Sequence, residues 1–122
     1  MSYTIIPVYY RDYVDSRWYG EIALEGAISA DQIQALKGTL LDGALYAPLQ
    51  LGLSHCGVGE TAAFPGINDH GWHTMELDKI VIRDTPPAYG RPGCADHGGT
   101  VADFVDAVRR ASVAGWQPLL TA

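Results

Sequence analysis

The chain has 122 residues, a net charge of −6 and 48% apolar residues. This length predicts a single domain over residues 1–122, and the apolar fraction excludes an intrinsically disordered chain. Binding to nucleic acid is not expected, because it depends on clusters of Lys and Arg that neutralise phosphates. Membrane association is not expected either, since no segment approaches the ~18 consecutive apolar residues of a membrane span.

The N-terminal residues lack the basic region and the apolar core of a signal peptide. We therefore expect a cytoplasmic protein in which Cys56 and Cys94 are reduced thiols. Arginine outnumbers lysine six to two and alanine is abundant, as in proteins from GC-rich genomes.

The first predicted elements are two strands joined as a hairpin. Residues 3–10 are β-branched and aromatic, and Pro7 predicts an edge strand or a bulge because proline cannot donate a ladder hydrogen bond. Residues 17–25 alternate, with Trp18 on an apolar face and Tyr19 on a polar one. The segment 10–16 connects them.

A helix is predicted over residues 30–42. Ser29 and Gln32 have the spacing of a capping box, and an apolar stripe with helical period follows. Asp42 and Gly43 are expected to end the helix. Gly38 lies inside it, which costs helix stability and suggests close packing against a neighbour.

The next apolar segments are shorter. Leucines at alternate positions predict a third strand over 49–53, and residues 74–83 predict a fourth with a bend near Asp78 and Lys79. A second helix is predicted over 101–114, capped by Thr100 and ended by Gly115. A short terminal strand over 116–120 is weakened by Pro118.

These elements predict an α+β fold. The expected form is a two-layer sandwich of about four mostly antiparallel strands, with both helices on one face of the sheet. Two long loops rich in glycine or proline, residues 54–73 and 84–99, connect the later elements. Loops of this length in a compact domain are usually functional or disordered, so a site is expected there.

All four histidines and both cysteines lie between His55 and His97. Zinc sites are usually built from two closely spaced ligand pairs on separate loops. The possible cofactor is therefore zinc, with the predicted ligands His70, His73, Cys94 and His97. The alternative is that these residues occupy loops without binding a metal, with a cysteine buried as a small apolar residue.

A thiol-dependent enzyme is a further alternative. A nucleophilic cysteine needs a base within hydrogen-bond reach and a third group that orients the base. Cys94 could use His70 or His73 as its base, with Asp69 or Asp96 as the orienting group. Cys56 is the other candidate nucleophile.

Tyrosines are concentrated in the first hairpin, at positions 3, 9, 10, 13 and 19. Surface tyrosines supply contact area at low entropic cost, which favours a protein interface. The predicted interface residues are Tyr9, Tyr10, Tyr19, Trp72 and Tyr89. The alternative is an ordinary sheet that carries a few amphipathic tyrosines.

The leading hypothesis is therefore a small acidic cytoplasmic interaction module without catalysis. Its role would be binding or regulation, and its type that of small proteins encoded by phages or mobile elements. Its partner would be another protein or a second copy of the same chain. The alternative is a small metal-dependent or thiol-dependent enzyme that uses the loops within residues 54–99.

Overall fold

A computed structural model of the chain describes residues 2–55, 70–85 and 94–118, with only the backbone described for residues 94–96. In this part of the chain, two helices and six strands form an α+β fold, which confirms the predicted class. In chain order, the six strands are β1 (Tyr3–Arg11), β2 (Arg17–Glu25), β3 (Leu45–Tyr46), β4 (His73–Met75), β5 (Val81–Arg83) and β6 (Cys94–Thr100). They form one curled mixed sheet in the order β3-β4-β1-β2-β6, and β5 pairs with β1 beside that path.

The predicted hairpin is confirmed. Strands β1 (Tyr3–Arg11) and β2 (Arg17–Glu25) are antiparallel, with Tyr9 opposite Tyr19 and Tyr10 opposite Trp18. Successive residues of a strand point to opposite faces, so each pair marks one face of the sheet. The inner face carries Tyr10 and packs into the core, whereas the outer face carries Tyr9 and Tyr19.

Strand β1 is not an edge strand, which corrects the prediction drawn from Pro7. It lies between β2 on one side and β4 and β5 on the other. The carbonyl of Pro7 accepts a hydrogen bond from Glu76 N–H at 2.8 Å, so its nitrogen faces the same side. Pro7 lies between the residues of β1 that pair with β4 and the residues of β1 that pair with β5. Neither pairing therefore requires a backbone N–H group at this position.

The segment predicted as one bent strand is interrupted at the expected place. Strand β4 (His73–Met75) is followed by a short 3-10 helix (Leu77–Lys79) and then by β5 (Val81–Arg83). The predicted bend near Asp78 and Lys79 is this helical turn.

The predicted third strand over residues 49–53 is wrong. Pro48–Leu51 form a 3-10 helix, which ends at Gly52 in the left-handed conformation. Proline fits the first turn of a helix because its φ is fixed near the helical value. The strand at this side of the sheet is instead β3 (Leu45–Tyr46), which pairs with β4.

Strand β6 (Cys94–Thr100) lies mostly within a segment that was predicted to be a loop. It runs parallel to β2, with His97 opposite Ala23, and makes the sheet mixed. A Cβ atom at Gly98 would lie 2.5 Å from Leu24 Cδ2 and 3.2 Å from Phe104 Cδ1. Gly98 therefore allows the strand to approach the core closely.

The two predicted helices are present. Helix α1 (Ala30–Thr39) begins at the capping box of Ser29 and Gln32, and it ends before the predicted residue 42 because Leu40 is extended. Helix α2 (Val101–Ala114) has the predicted bounds, and the Thr100 side chain accepts a hydrogen bond from Asp103 N–H. None of the helices in the described part of the chain is long and apolar enough to cross a membrane.

The core joins the inner face of the sheet to both helices. Its main apolar side chains are Ile6, Val8, Tyr10, Ile22, Leu24, Leu36, Leu40, Phe104 and Val108. Residues 115–118 do not form the predicted terminal strand, and residues 119–120 lie outside the described chain. Trp116 Nε1–H instead donates to the carbonyl of Thr39 at 2.8 Å, which ties the chain after α2 to the end of α1.

Gly38 and Gly98 give opposite stability predictions. The expected close packing at Gly38 is wrong, because no described residue outside the helix backbone lies within 4 Å of a Cβ built there. Gly38→Ala should therefore raise the free energy of unfolding by about 0.5–1 kcal/mol through helix propensity. Gly98→Ala should lower it by about 1–3 kcal/mol through overpacking. Urea denaturation of both variants tests this, and equal effects would contradict the packing described for β6.

Candidate functional site

Three histidines surround the buried ring of Tyr10. The centroid of the Tyr10 ring lies 4.3 Å from that of His55, 5.0 Å from that of His70 and 5.2 Å from that of His73. Trp18 stacks on Tyr10 from the neighbouring strand at 5.3 Å. We call Tyr10 and these three histidines the histidine cluster.

Hydrogen bonds to the backbone hold the cluster in place. His55 Nε2 lies 2.6 Å from the carbonyl oxygen of His70, and His70 Nε2 lies 2.6 Å from that of Arg11. Each Nε2 must donate, because a carbonyl oxygen only accepts. Nδ1 of His70 accepts from Trp72 N–H at 3.1 Å, which assigns His70 to the neutral tautomer protonated on Nε2. The Tyr10 hydroxyl accepts from His70 N–H at 3.2 Å.

His73 is the most deeply buried histidine of the cluster, with 1% of its surface exposed. Burial lowers the pKa of His73 from 6.5 to about 3, with a smaller contribution from His55, whose ring centroid is 4.6 Å away. Desolvation disfavours the charged imidazolium, so His73 stays neutral at physiological pH.

The cluster is suited to a structural role. His55 and His73 are both almost fully buried, which keeps their rings away from a substrate. The bond from His55 to the His70 carbonyl joins the two ends of the 55–70 connection, and the bond from His70 to Arg11 anchors one end to β1. The imidazoles of His55 and His70 thus act as hydrogen-bond donors to backbone carbonyls, one part-buried and one exposed.

The predicted zinc ligands are not brought together in this conformation. His70 and His73 lie in the cluster, whereas His97 is on β6, where its Nε2 is 3.6 Å from a Glu25 carboxylate oxygen. Strands β1 and β2 separate β4 from β6, which corresponds to roughly 14 Å along the sheet. The Cys94 side chain is outside the described atoms. Among the residues that are described, no group of three or more His, Cys, Asp or Glu is placed to hold a metal.

The residues of the predicted thiol site are largely outside the described chain. Cys56 and Asp69 belong to that undescribed part, as do the side chains of Cys94 and Asp96. The thiol-dependent enzyme therefore stays a prediction from the sequence.

The predicted interface residues occupy different places. Tyr9 and Tyr19 form a cross-strand pair on the outer face, with ring centroids 6.1 Å apart. Tyr10 is fully buried, which removes it from the predicted interface, because the alternation of β1 directs it inward when Tyr9 points outward. Trp72 is half-buried beside the outer face, and Tyr89 lies outside the described chain.

A cleft of about 290 Å³ opens on the outer face next to Tyr9. We call it the outer cleft, and its lining residues are Tyr9, Arg11, Tyr13, Leu41, Leu45, His70, Trp72 and Thr74. The cross-strand register explains its floor, because Tyr9 pairs with Thr74 and Thr74 pairs with Leu45. The Arg17 guanidinium lies over the other side of Tyr9, 5.8 Å from the ring centroid.

Several cleft residues were not among the predicted interface residues. Tyr9, Arg11 and Tyr13 follow each other at every second position, which is the spacing of one face of a strand. That signal was available in the sequence. The contributions of Leu41 and Leu45 were not visible, because they depend on the pairing of β3 with β4.

Comparisons of this chain with protein-family models, with curated proteins and with solved structures found no match.

The burial of His73 predicts acid destabilisation. The unfolded chain binds this proton with a pKa near 6.5 and the folded chain with one of about 3, so stability falls as the pH drops from 6.5 towards 3. At pH 5 this amounts to about 2 kcal/mol relative to neutral pH. Chemical denaturation at neutral pH and at pH 5 measures the free energy of unfolding. The decrease between the two pH values should be larger in the wild type than in His73→Phe by about this amount. Equal losses in the two proteins would contradict the assignment.

Proposed function

We propose that this chain is a cytoplasmic protein-interaction module that binds its partner through the outer cleft and the neighbouring outer face of the sheet. The observation that carries the proposal is that Tyr9, Tyr13, Trp72 and Arg11 all line one open cleft. Tyr, Trp and Arg are the residue types that contribute most binding energy at protein interfaces.

The exposure of the surface supports this function. Tyr13 and Tyr19 expose 70% and 63% of their surface, and Leu41, which also lines the cleft, is exposed too. Exposed apolar residues that occur singly are ordinary, whereas a contiguous patch with a polar rim is typical of an interaction site. Arg11, Arg17 and Thr74 supply polar groups at this patch.

The layered arrangement also supports it. Leu36 of α1 and Phe104 of α2 belong to the same core as the inner face of the sheet. Among the described residues, neither helix covers the part of the outer face around Tyr9 and Tyr19, and Tyr19 is exposed there. Hydrogen bonds within the histidine cluster fix the position of His70, which also lines the outer cleft. The cleft is therefore preorganised, and its side chains lose little conformational entropy on binding.

Site-specific photo-crosslinking in cells that naturally produce the chain tests this function. A benzophenone amino acid at Tyr19 should give ultraviolet-dependent crosslinks to a protein. The same group at Val113, which is 79% exposed on α2, is the matched control and should give none. Trp72→Ala should reduce the crosslink at position 19 at least about tenfold, since aromatic anchors dominate interface energy. An absence of crosslinks at Tyr19, or equal crosslinking at Val113, would contradict the proposal.

A further inference from the structure

We infer that the occupant of the outer cleft is a second copy of this chain, which inserts the apolar tip of its β1–β2 turn. This inference rests on the proposed function of the outer face. It assigns the partner and places Val14 at the centre of a symmetric dimer interface.

The turn that joins β1 to β2 is a rigid projection. One carboxylate oxygen of Asp12 accepts hydrogen bonds from Val14 N–H at 3.0 Å and from Ser16 N–H at 2.9 Å. The backbone adds bonds from Asp12 N–H to Ser16 and from Asp15 N–H to Asp12. Asp15 adopts a left-handed conformation with φ 69°, which closes the turn. The tip is therefore ordered before any partner binds.

This ordered tip presents apolar side chains to solvent. Tyr13 is 70% exposed and Val14 is 61% exposed. Turn tips are usually occupied by Gly, Pro, Asn, Asp and Ser, each for a conformational reason. Asp12, Asp15 and Ser16 meet those conformational needs here, whereas Tyr13 and Val14 are not required by the geometry of the turn. Their apolar surface is available for contact.

The projection and the cleft lie side by side on one surface. Tyr13 forms part of the cleft wall, and Val14 is the next residue beyond it. A two-fold axis between the tip and the cleft would place each Val14 in the cleft of the other copy. Such an isologous contact closes after two copies, because each copy uses its tip and its cleft once. The cleft volume of about 290 Å³ is larger than a valine side chain.

The charge distribution favours a second copy at this place. The tip region contains Arg11 and Arg17 and also Asp12 and Asp15, so its local net charge is zero. The rest of the chain carries the net charge of −6, so two copies can meet at the tip without net repulsion between the tips themselves. Asp15 lies 3.7 Å from Arg11 Nε and 3.5 Å from Arg17 Nε, in exposed ion pairs that contribute little to stability. These charges can pair across a dimer interface at little cost to the monomer.

Sedimentation equilibrium from low to high micromolar concentration tests the inference. The wild-type mass should rise from 13.1 kDa towards twice that value as the concentration increases. Val14→Asp should raise the dimer dissociation constant at least about tenfold, because it replaces an apolar contact with a carboxylate that must be desolvated in the partner's cleft. Val113→Asp introduces the same charge at an exposed site on α2 and should leave the constant unchanged. Circular dichroism checks that both variants are folded.

Crosslinking between isotopically distinct copies locates the contact. A benzophenone amino acid at Val14 in one copy should react with the peptide that contains Leu41 and Leu45 in the other copy. A wild-type mass of 13.1 kDa at every concentration, or association unaffected by Val14→Asp, would overturn the inference. In that case a crosslink from Tyr19 to a different protein in cells would still support the proposed function, whereas no crosslink would overturn both.

Discussion

The burial of the Tyr10 side chain connects the parts of this structure. Its ring packs against Trp18 of β2 and His73 of β4, and its hydroxyl accepts a hydrogen bond from His70. One residue of β1 is therefore in contact with both neighbouring strands and with the chain that enters β4. Because a strand alternates its faces, fixing Tyr10 in the core also fixes Tyr9 on the outer face. A shift of β1 by one residue would bury Tyr9 and remove the floor of the outer cleft.

The histidines of the cluster make packing and hydrogen-bond contacts that need no metal. An imidazole is planar, packs well against aromatic rings and offers one donor and one acceptor when it is neutral. His70 uses both nitrogens for backbone groups, and His55 uses one for the carbonyl of His70. Burial maintains the neutral form at His73. The spacing of His70 and His73 in the sequence is compatible with either role, and only their surroundings distinguish the two.

The parts of the fold that depend on local sequence were predictable. The capping box at Ser29, the cap at Thr100 and the alternation around Trp18 each act over a few residues. Strand β6 was not predictable, because Gly98 and its neighbours lack an apolar alternation and are held by pairing with a distant strand. The outer cleft was only partly predictable for the same reason. Tyr9 and Tyr19 follow from the hairpin register, whereas Leu41 and Leu45 reach the cleft through the pairing of β3 with β4.

The parallel pairing of β2 with β6 has a consequence for the order of folding. The β1–β2 hairpin closes through a turn of a few residues. The pairing of Gly20 with Cys94 instead closes a loop that contains all the residues between them, which is more than half of the chain. Loop-closure entropy opposes such distant contacts, and they form late in folding. Before β6 docks, β2 is an unprotected edge that any extended segment can join. Newly synthesised chains therefore expose this edge of β2 to mispairing and aggregation until β6 has been synthesised and has docked.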